Sequence, residues 1–97
     1  IFTAAEQDYA LGKKDPAPFL AVRFAAKEAF LKALGLGLRQ GMTWHDMEVV
    51  KDSLGAPSLR LSGRAAEIFA QRGLSAVHLS YSHDGNYGVA NVVLEKA

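Results

Sequence analysis

The chain has 97 residues, of which 49% are hydrophobic and 22% are charged, a balance typical of one small globular domain. Its net charge of +1 argues against general binding of nucleic acid, so any anion site must come from local clustering of cations. The absence of cysteine excludes disulfides and thiolate metal sites and is compatible with the cytoplasm, and no apolar run reaches the roughly 18 residues of a membrane helix.

A short helix is predicted near the start of the chain. Thr3-Ala4-Ala5-Glu6 has the form of a capping box, in which a hydroxyl is followed three residues later by a carboxylate. Gly12 is the kind of residue that ends a helix. We therefore expect a helix over about 4–11.

A second, longer helix is predicted over about 17–34. Pro18 suits its first turn, and Gly35 suits its end. Thirteen of these 18 side chains are hydrophobic by count from the sequence. A helix this apolar is covered on more than one side, which indicates the central helix of the domain.

The remaining sequence favours two β-hairpins separated by a short helix. Ser62 is a candidate cap for that helix, and Asp84-Gly85 is a strong turn signal for the second hairpin. The predicted elements are strands over 47–51 and 58–61, a helix over 63–72, and strands over 77–82 and 87–94. The sequence thus predicts an α+β fold in which a small antiparallel sheet packs on one long central helix.

Four charged residues interrupt the apolar long helix: Arg23, Lys27, Glu28 and Lys32. At about 100° per residue, Arg23 and Lys27 lie about 40° apart, as do Glu28 and Lys32. We therefore expect all four on one side of the helix.

Two interpretations of these charges remain open. In the first, they form a solvated surface stripe with an ion pair between Glu28 and Lys32. In the second, three cations around one carboxylate form a site, since cations in a cleft attract phosphates and a lone carboxylate among phosphates can hold Mg²⁺. Periodicity does not choose between them.

The segment HLSYSHD, from His78 to Asp84, is a second candidate site. Asp84 can simply form the turn and His83 can be an exposed hairpin residue, or the pair can serve as a phosphate ligand or proton carrier. A Ser-His-Asp triad is excluded because neighbours in one strand cannot adopt its geometry. The sequence also contains no zinc pattern and no Walker loop.

Four blocks of the sequence resemble the holo-acyl-carrier-protein synthase family, the small bacterial class of 4′-phosphopantetheinyl transferases. The blocks are IFTAAEQDY, RFAAKEAFLKALG, WHDMEVV with LGAPSLRLSGRA, and HLSYSHD with YGVANVVLE. The resemblance implies Mg²⁺-dependent transfer of the phosphopantetheine arm of coenzyme A to a serine of an apo acyl carrier protein, with release of adenosine 3′,5′-bisphosphate. It also implies a homotrimer in the cytoplasm.

The same resemblance assigns roles to individual residues. Glu28 would bind the metal, and Lys32 would assist the transfer as a second catalytic residue. The chemistry also requires a base for the serine proton, and Glu28 acting through a water on the metal is the first candidate. The coenzyme A contacts would be Lys14, Arg23, Lys27, Lys32, Gly35 and His83.

One part of the family pattern is missing from this sequence. Members usually begin with a strand carrying Gly-x-Asp-Ile and a following helix, which supply a second metal carboxylate and a docking surface for the carrier protein. We therefore expect 1–97 to be a single transferase domain without that strand and helix. A non-catalytic module that binds coenzyme A or a carrier protein, and a subunit of an assembly with solvated charges, are the alternatives.

Overall fold

The computed structural model describes residues 1–96, which form helices and two β-hairpins in an α+β arrangement. In chain order the elements are α1 (Ala4–Leu11), α2 (Ala17–Leu34), a 3₁₀ helix (Trp44–Asp46), β1 (Met47–Lys51), β2 (Pro57–Leu61), α3 (Gly63–Gln71), β3 (Leu74–Asp84) and β4 (Tyr87–Lys96). The predicted fold class is confirmed.

Local capping signals determine the start of α1 and the end of α2. The Glu6 amide donates to Thr3 Oγ1 at 3.2 Å, and the Thr3 amide donates to Glu6 Oε1 at 2.9 Å, which completes the predicted capping box. Helix α2 ends where Gly35 adopts a left-handed conformation with φ of 76°, and its amide donates to the carbonyls of Leu31 and Lys32. The predicted bounds of α1 and α2 are confirmed.

The strands form two separate antiparallel ribbons. Strand β1 pairs with β2 from Met47↔Leu61 to Lys51↔Pro57, and β3 pairs with β4 through Asp84↔Tyr87 at the turn. The second ribbon extends beyond the predicted 77–82 and 87–94 because its backbone ladder continues through polar residues that the alternating pattern does not mark. The predicted single sheet is therefore a pair of two-stranded sheets in the described residues.

Helix α2 lies at the centre of the hydrophobic core, as expected. It contributes Ala26, Phe30, Leu31 and Leu34, all of which are buried. The other buried members of the core are Met42, Met47, Val49, Leu59, Ala65 and Ile68. Within residues 1–96, none of the helices combines the length and apolar character needed to cross a bilayer.

Strand β4 crosses α2 in direct backbone contact. A Cβ atom at Gly88 would lie 2.6 Å from both the carbonyl carbon and the oxygen of Ala21, and 2.7 Å from the amide nitrogen of Val22. Such distances are far inside van der Waals contact, so this crossing requires glycine.

The N-terminus of α3 is capped by a residue from elsewhere in the chain. Ser62 occupies the predicted cap position, but its side chain makes no capping hydrogen bond. Instead, Asp46 Oδ2 accepts from the Ala65 amide at 3.3 Å, while the Asp46 carbonyl accepts from the Ser62 amide at 2.9 Å. The prediction that Ser62 caps the helix is wrong because the 3₁₀ helix delivers a carboxylate to that position.

Candidate active site

The four charges of α2 divide into a buried pair and an exposed pair. Arg23 and Lys27 retain 2% and 0% of their accessible surface, whereas Glu28 and Lys32 are exposed. The four side chains therefore do not share one environment, because Lys27 contacts α1 in the interior while Glu28 and Lys32 face solvent. The surface-stripe interpretation is therefore wrong for Arg23 and Lys27.

Lys27 forms a buried ion pair with Glu6 of α1. Its Nζ lies 2.6 Å from Glu6 Oε1, and it also donates to the carbonyl of Ile1 at 2.7 Å and that of Trp44 at 3.1 Å. These three acceptors match the three N–H groups of an ammonium. The charge of Lys27 is thus balanced by Glu6 and not by Glu28.

Glu28 and Lys32 face a cleft of about 260 Å³ beside the C-terminal half of α2. The other residues that line it are Leu31, Gly37, Leu38 and Trp44. Within the described part of the chain, neither Glu28 nor Lys32 takes part in an ion pair, so the predicted pairing of the two is not formed. The cleft therefore presents one carboxylate and one ammonium that are both available to a ligand.

Arg23 belongs to a separate aromatic cluster at the N-terminal half of α2. Its guanidinium carbon lies 4.4 Å from the centre of the Tyr9 ring, and its Nη1 donates to the Phe19 carbonyl at 3.0 Å. The Phe19 ring lies 6.0 Å from that of Tyr9 and 6.2 Å from the imidazole of His83. The structure thus brings together Arg23 and His83, which are 60 residues apart in the sequence.

Two lysines add positive charge around the same tyrosine. Lys13 Nζ lies 4.6 Å from the centre of the Tyr9 ring, and Lys51 Nζ donates to the Tyr9 hydroxyl at 3.2 Å. The hydrogen bond from Lys51 lowers the pKa of Tyr9 from its usual 10.0, although partial burial opposes the shift. The predicted Lys14 is exposed, and it is its sequence neighbour Lys13 that makes the aromatic contact.

Sequence reasoning missed four members of this cluster, Tyr9, Phe19, Lys13 and Lys51. Tyr9 lies in the last turn of α1 and Lys13 follows the Gly12 cap, four residues later, a spacing that could have indicated their contact. Lys51 comes from β1, and no local pattern connects it to Tyr9. The cluster and the Glu28 cleft both lie along α2, since Arg23 and Glu28 are separated by about 7.5 Å of helix axis.

The cluster and the cleft are thus two regions of one helix, and each contains cationic side chains. Residues 1–92 match the sequence profile of the 4′-phosphopantetheinyl transferase superfamily. The chain belongs to this superfamily. The resemblance to holo-acyl-carrier-protein synthases is confirmed, and this phosphopantetheinyl transferase is an enzyme.

Individual relatives of this phosphopantetheinyl transferase agree over nearly its whole length. The holo-[acyl-carrier-protein] synthase of Geobacter metallireducens is 62% identical over 96 residues, which is 99% of this chain and 76% of the relative. The crystal structure of the synthase from Neisseria meningitidis is 35% identical with a TM-score of 0.89, and the match covers 99% of this chain and 77% of that one. A synthase structure from Bacillus anthracis, in complex with CoA (3′,5′-ADP), is 39% identical with a TM-score of 0.81. The match covers 100% of this chain and 77% of that one.

Proposed function

We propose that this transferase moves the 4′-phosphopantetheine group of coenzyme A to a serine of an apo acyl carrier protein. The observation that carries the proposal is the cleft on α2, where Glu28 and Lys32 are exposed and unpaired among the described residues. The serine oxygen would form a bond to the phosphorus that carries pantetheine, and the bond from that phosphorus to the bridging oxygen would break. The leaving product is then adenosine 3′,5′-bisphosphate.

The donor set of the cleft fits Mg²⁺ bound together with a substrate. Residues 1–96 contain no group of three or more acidic, histidine or cysteine side chains that would form a complete protein cage. Magnesium usually takes one or two protein carboxylates and completes its shell with phosphate oxygens and water. Glu28 is the residue that would hold it, and the bound ion would neutralise charge on the diphosphate.

Phosphoryl transfer asks the protein mainly for positioning and charge neutralisation. Lys32, one helical turn from Glu28, would face the diphosphate, and Gly35 would let the ligand approach the backbone at the end of α2. Arg23 and His83, with Lys14 nearby, would contact the nucleotide end of coenzyme A. Because Glu28 is solvated and its carboxylate is not neutralised by a partner in the described residues, it is also the first candidate for the base that accepts the serine proton.

Substitution of Glu28 tests this proposal. In the complete product of the gene, Glu28→Gln should lower the rate of transfer by about 100-fold or more, because it removes the proposed metal ligand and base. The measurement is the mass gain of an apo carrier protein incubated with Mg²⁺ and coenzyme A. Glu67→Gln, at an exposed position on α3, should retain the wild-type rate.

Two other results would contradict the proposal. If the wild-type protein gives no mass gain but binds coenzyme A by calorimetry, the chain is a binding module without catalysis. If Glu28→Gln transfers the group at the wild-type rate, the cleft is not the site of transfer.

We also infer a homotrimer in the cytoplasm, with the active site at the junction of neighbouring subunits. What supports self-association here is the outer face of the second hairpin, where Tyr87, Val89 and Val93 are 82%, 59% and 60% exposed. Apolar side chains in such a row usually mark an interaction surface. The cytoplasmic location follows from the family resemblance and stays a prediction.

A further inference from the structure

The buried pair formed by Glu6 and Lys27 connects four segments of the chain. Glu6 Oε1 accepts from Lys27 Nζ at 2.6 Å and from the Thr3 amide at 2.9 Å, and Glu6 Oε2 accepts from the Val49 amide of β1 at 2.8 Å. Lys27 adds the carbonyl of Trp44 at the start of the 3₁₀ helix. The pair therefore joins the N-terminal segment, α2, the 3₁₀ helix and β1.

Lys27 is poorly suited to contact a phosphate directly. Its side chain has 0% exposure, and each of its three N–H groups already has an acceptor in Ile1, Glu6 or Trp44. A phosphate could gain a hydrogen bond from Lys27 only if one of these bonds broke and the surrounding residues opened. A buried carboxylate would then lose its counter-ion.

Trp44 links this pair to the cleft. The Trp44 carbonyl accepts a hydrogen bond from Lys27, and the Trp44 ring lies 5.3 Å from that of Phe24 on α2. Trp44 also lines the cleft beside Glu28 and Lys32. Lys27 and Glu28 are adjacent on the helix and point about 100° apart. Lys27 therefore faces the buried contact with Glu6, while Glu28 faces the cleft.

We propose that Glu6 and Lys27 are positioning residues, whose ion pair fixes Trp44 as the wall of the cleft in which Glu28 and Lys32 act. The expected effect of the pair on the transfer rate rests on the proposed function. The expected effect on the position of Trp44 does not depend on it. Misplacement of a site wall by about 1 Å can cost about 100-fold in rate, so residues outside the cleft can have a large effect on transfer.

The single tryptophan of the chain allows a direct test, because its fluorescence reports on Trp44 alone. The double variant Glu6→Gln/Lys27→Met replaces the ion pair with neutral side chains of similar size and leaves no buried charge unpaired. In the folded double variant we expect Trp44 emission at longer wavelength and stronger quenching by acrylamide. Arg60→Met, which removes the exposed ion pair with Glu48, should leave both signals unchanged.

A kinetic measurement separates positioning from phosphate binding. We expect kcat/KM for transfer to fall about 100-fold in Lys27→Met, and the double variant to be no worse than the single ones, since the two residues act as one unit. Affinity for coenzyme A should keep its wild-type dependence on salt in Lys27→Met, whereas Lys32→Met should weaken that dependence by removing an exposed cation.

The outcomes decide the two proposals separately. Unchanged Trp44 fluorescence in the folded double variant overturns the positioning role, whether or not the protein transfers phosphopantetheine. A salt dependence reduced in Lys27→Met as in Lys32→Met also overturns it, because Lys27 would then contact the phosphates. If the double variant does not fold, Glu6→Gln alone should shift Trp44 emission in the same direction, and no shift in that variant contradicts the role.

Discussion

Neighbouring residues on α2 end in opposite surroundings. Lys27 is fully buried and Glu28 is exposed, although only one peptide bond separates them. The buried ammonium depends on Glu6 for its counter-charge, and loss of one partner of such a pair typically costs about 3–5 kcal/mol of stability. The carboxylate of Glu28 forms no ion pair within the described residues, so it is available to bind a ligand.

The contact between Tyr9 and Lys51 predicts a shifted titration. The ammonium of Lys51 favours the phenolate, so Tyr9 should ionise below its usual pKa of 10.0, while the hydrogen bond to Tyr9 raises the pKa of Lys51. The lowered pKa of Tyr9 therefore adds stability that is complete above pH 10.0 and is lost as the pH falls through the lowered value. The raised pKa of Lys51 adds stability that is complete below pH 10.5 and is lost as the pH rises through the raised value. Lys51→Met should return the Tyr9 titration, followed by ultraviolet absorbance, toward its usual pH.

Lys14→Met is the matched control for that titration, since Lys14 is an exposed lysine that is not among the groups acting on Tyr9. It should leave the Tyr9 titration in place. A Tyr9 titration that is identical in wild type and Lys51→Met would show that the hydrogen bond does not persist in solution.

At the level of elements, α3 depends on a carboxylate that its own sequence does not supply. Asp46→Ala should lower the free energy of unfolding by about 1–2 kcal/mol, because it removes the cap on the Ala65 amide and the two hydrogen bonds that Asp46 accepts from Thr43. Chemical denaturation measures the effect. Ser62→Ala should change the stability by much less, since the Ser62 side chain makes no capping bond. Equal losses in the two variants would mean that Ser62 caps the helix after all.

The contrast between these two residues shows what the sequence could predict. The bounds of α1 and α2 follow from the Thr3–Glu6 capping box and from Gly35, which act within a few residues. The cap by Asp46 and the pairing of Lys27 with Glu6 join residues about 20 positions apart, and no local spacing encodes them. The resemblance to a family is the source of the proposed ligand, whereas the distinction between buried and exposed charges on α2 required the fold.

The whole molecule is elongated, with dimensions of 40 × 24 × 24 Å, and the second hairpin exposes an apolar row along it. If that row mediates assembly, a Val89→Lys/Val93→Lys variant should be monomeric where wild type is trimeric, because three copies would bring like charges together. Sedimentation equilibrium measures this. Leu54→Lys, at a loop position that is 93% exposed, should remain trimeric, and a monomeric wild type would contradict the proposal.

The close contact of Gly88 with Ala21 also fixes the position of strand β4 along helix α2. A slip of the strand along the helix by one position would place Tyr87 or Val89 where only a hydrogen atom has room. Gly88 is paired with His83 across the ribbon, so the same contact determines where the imidazole lies relative to Phe19. The smallest residue of β4 thus fixes the position of the His83 imidazole on the neighbouring strand β3.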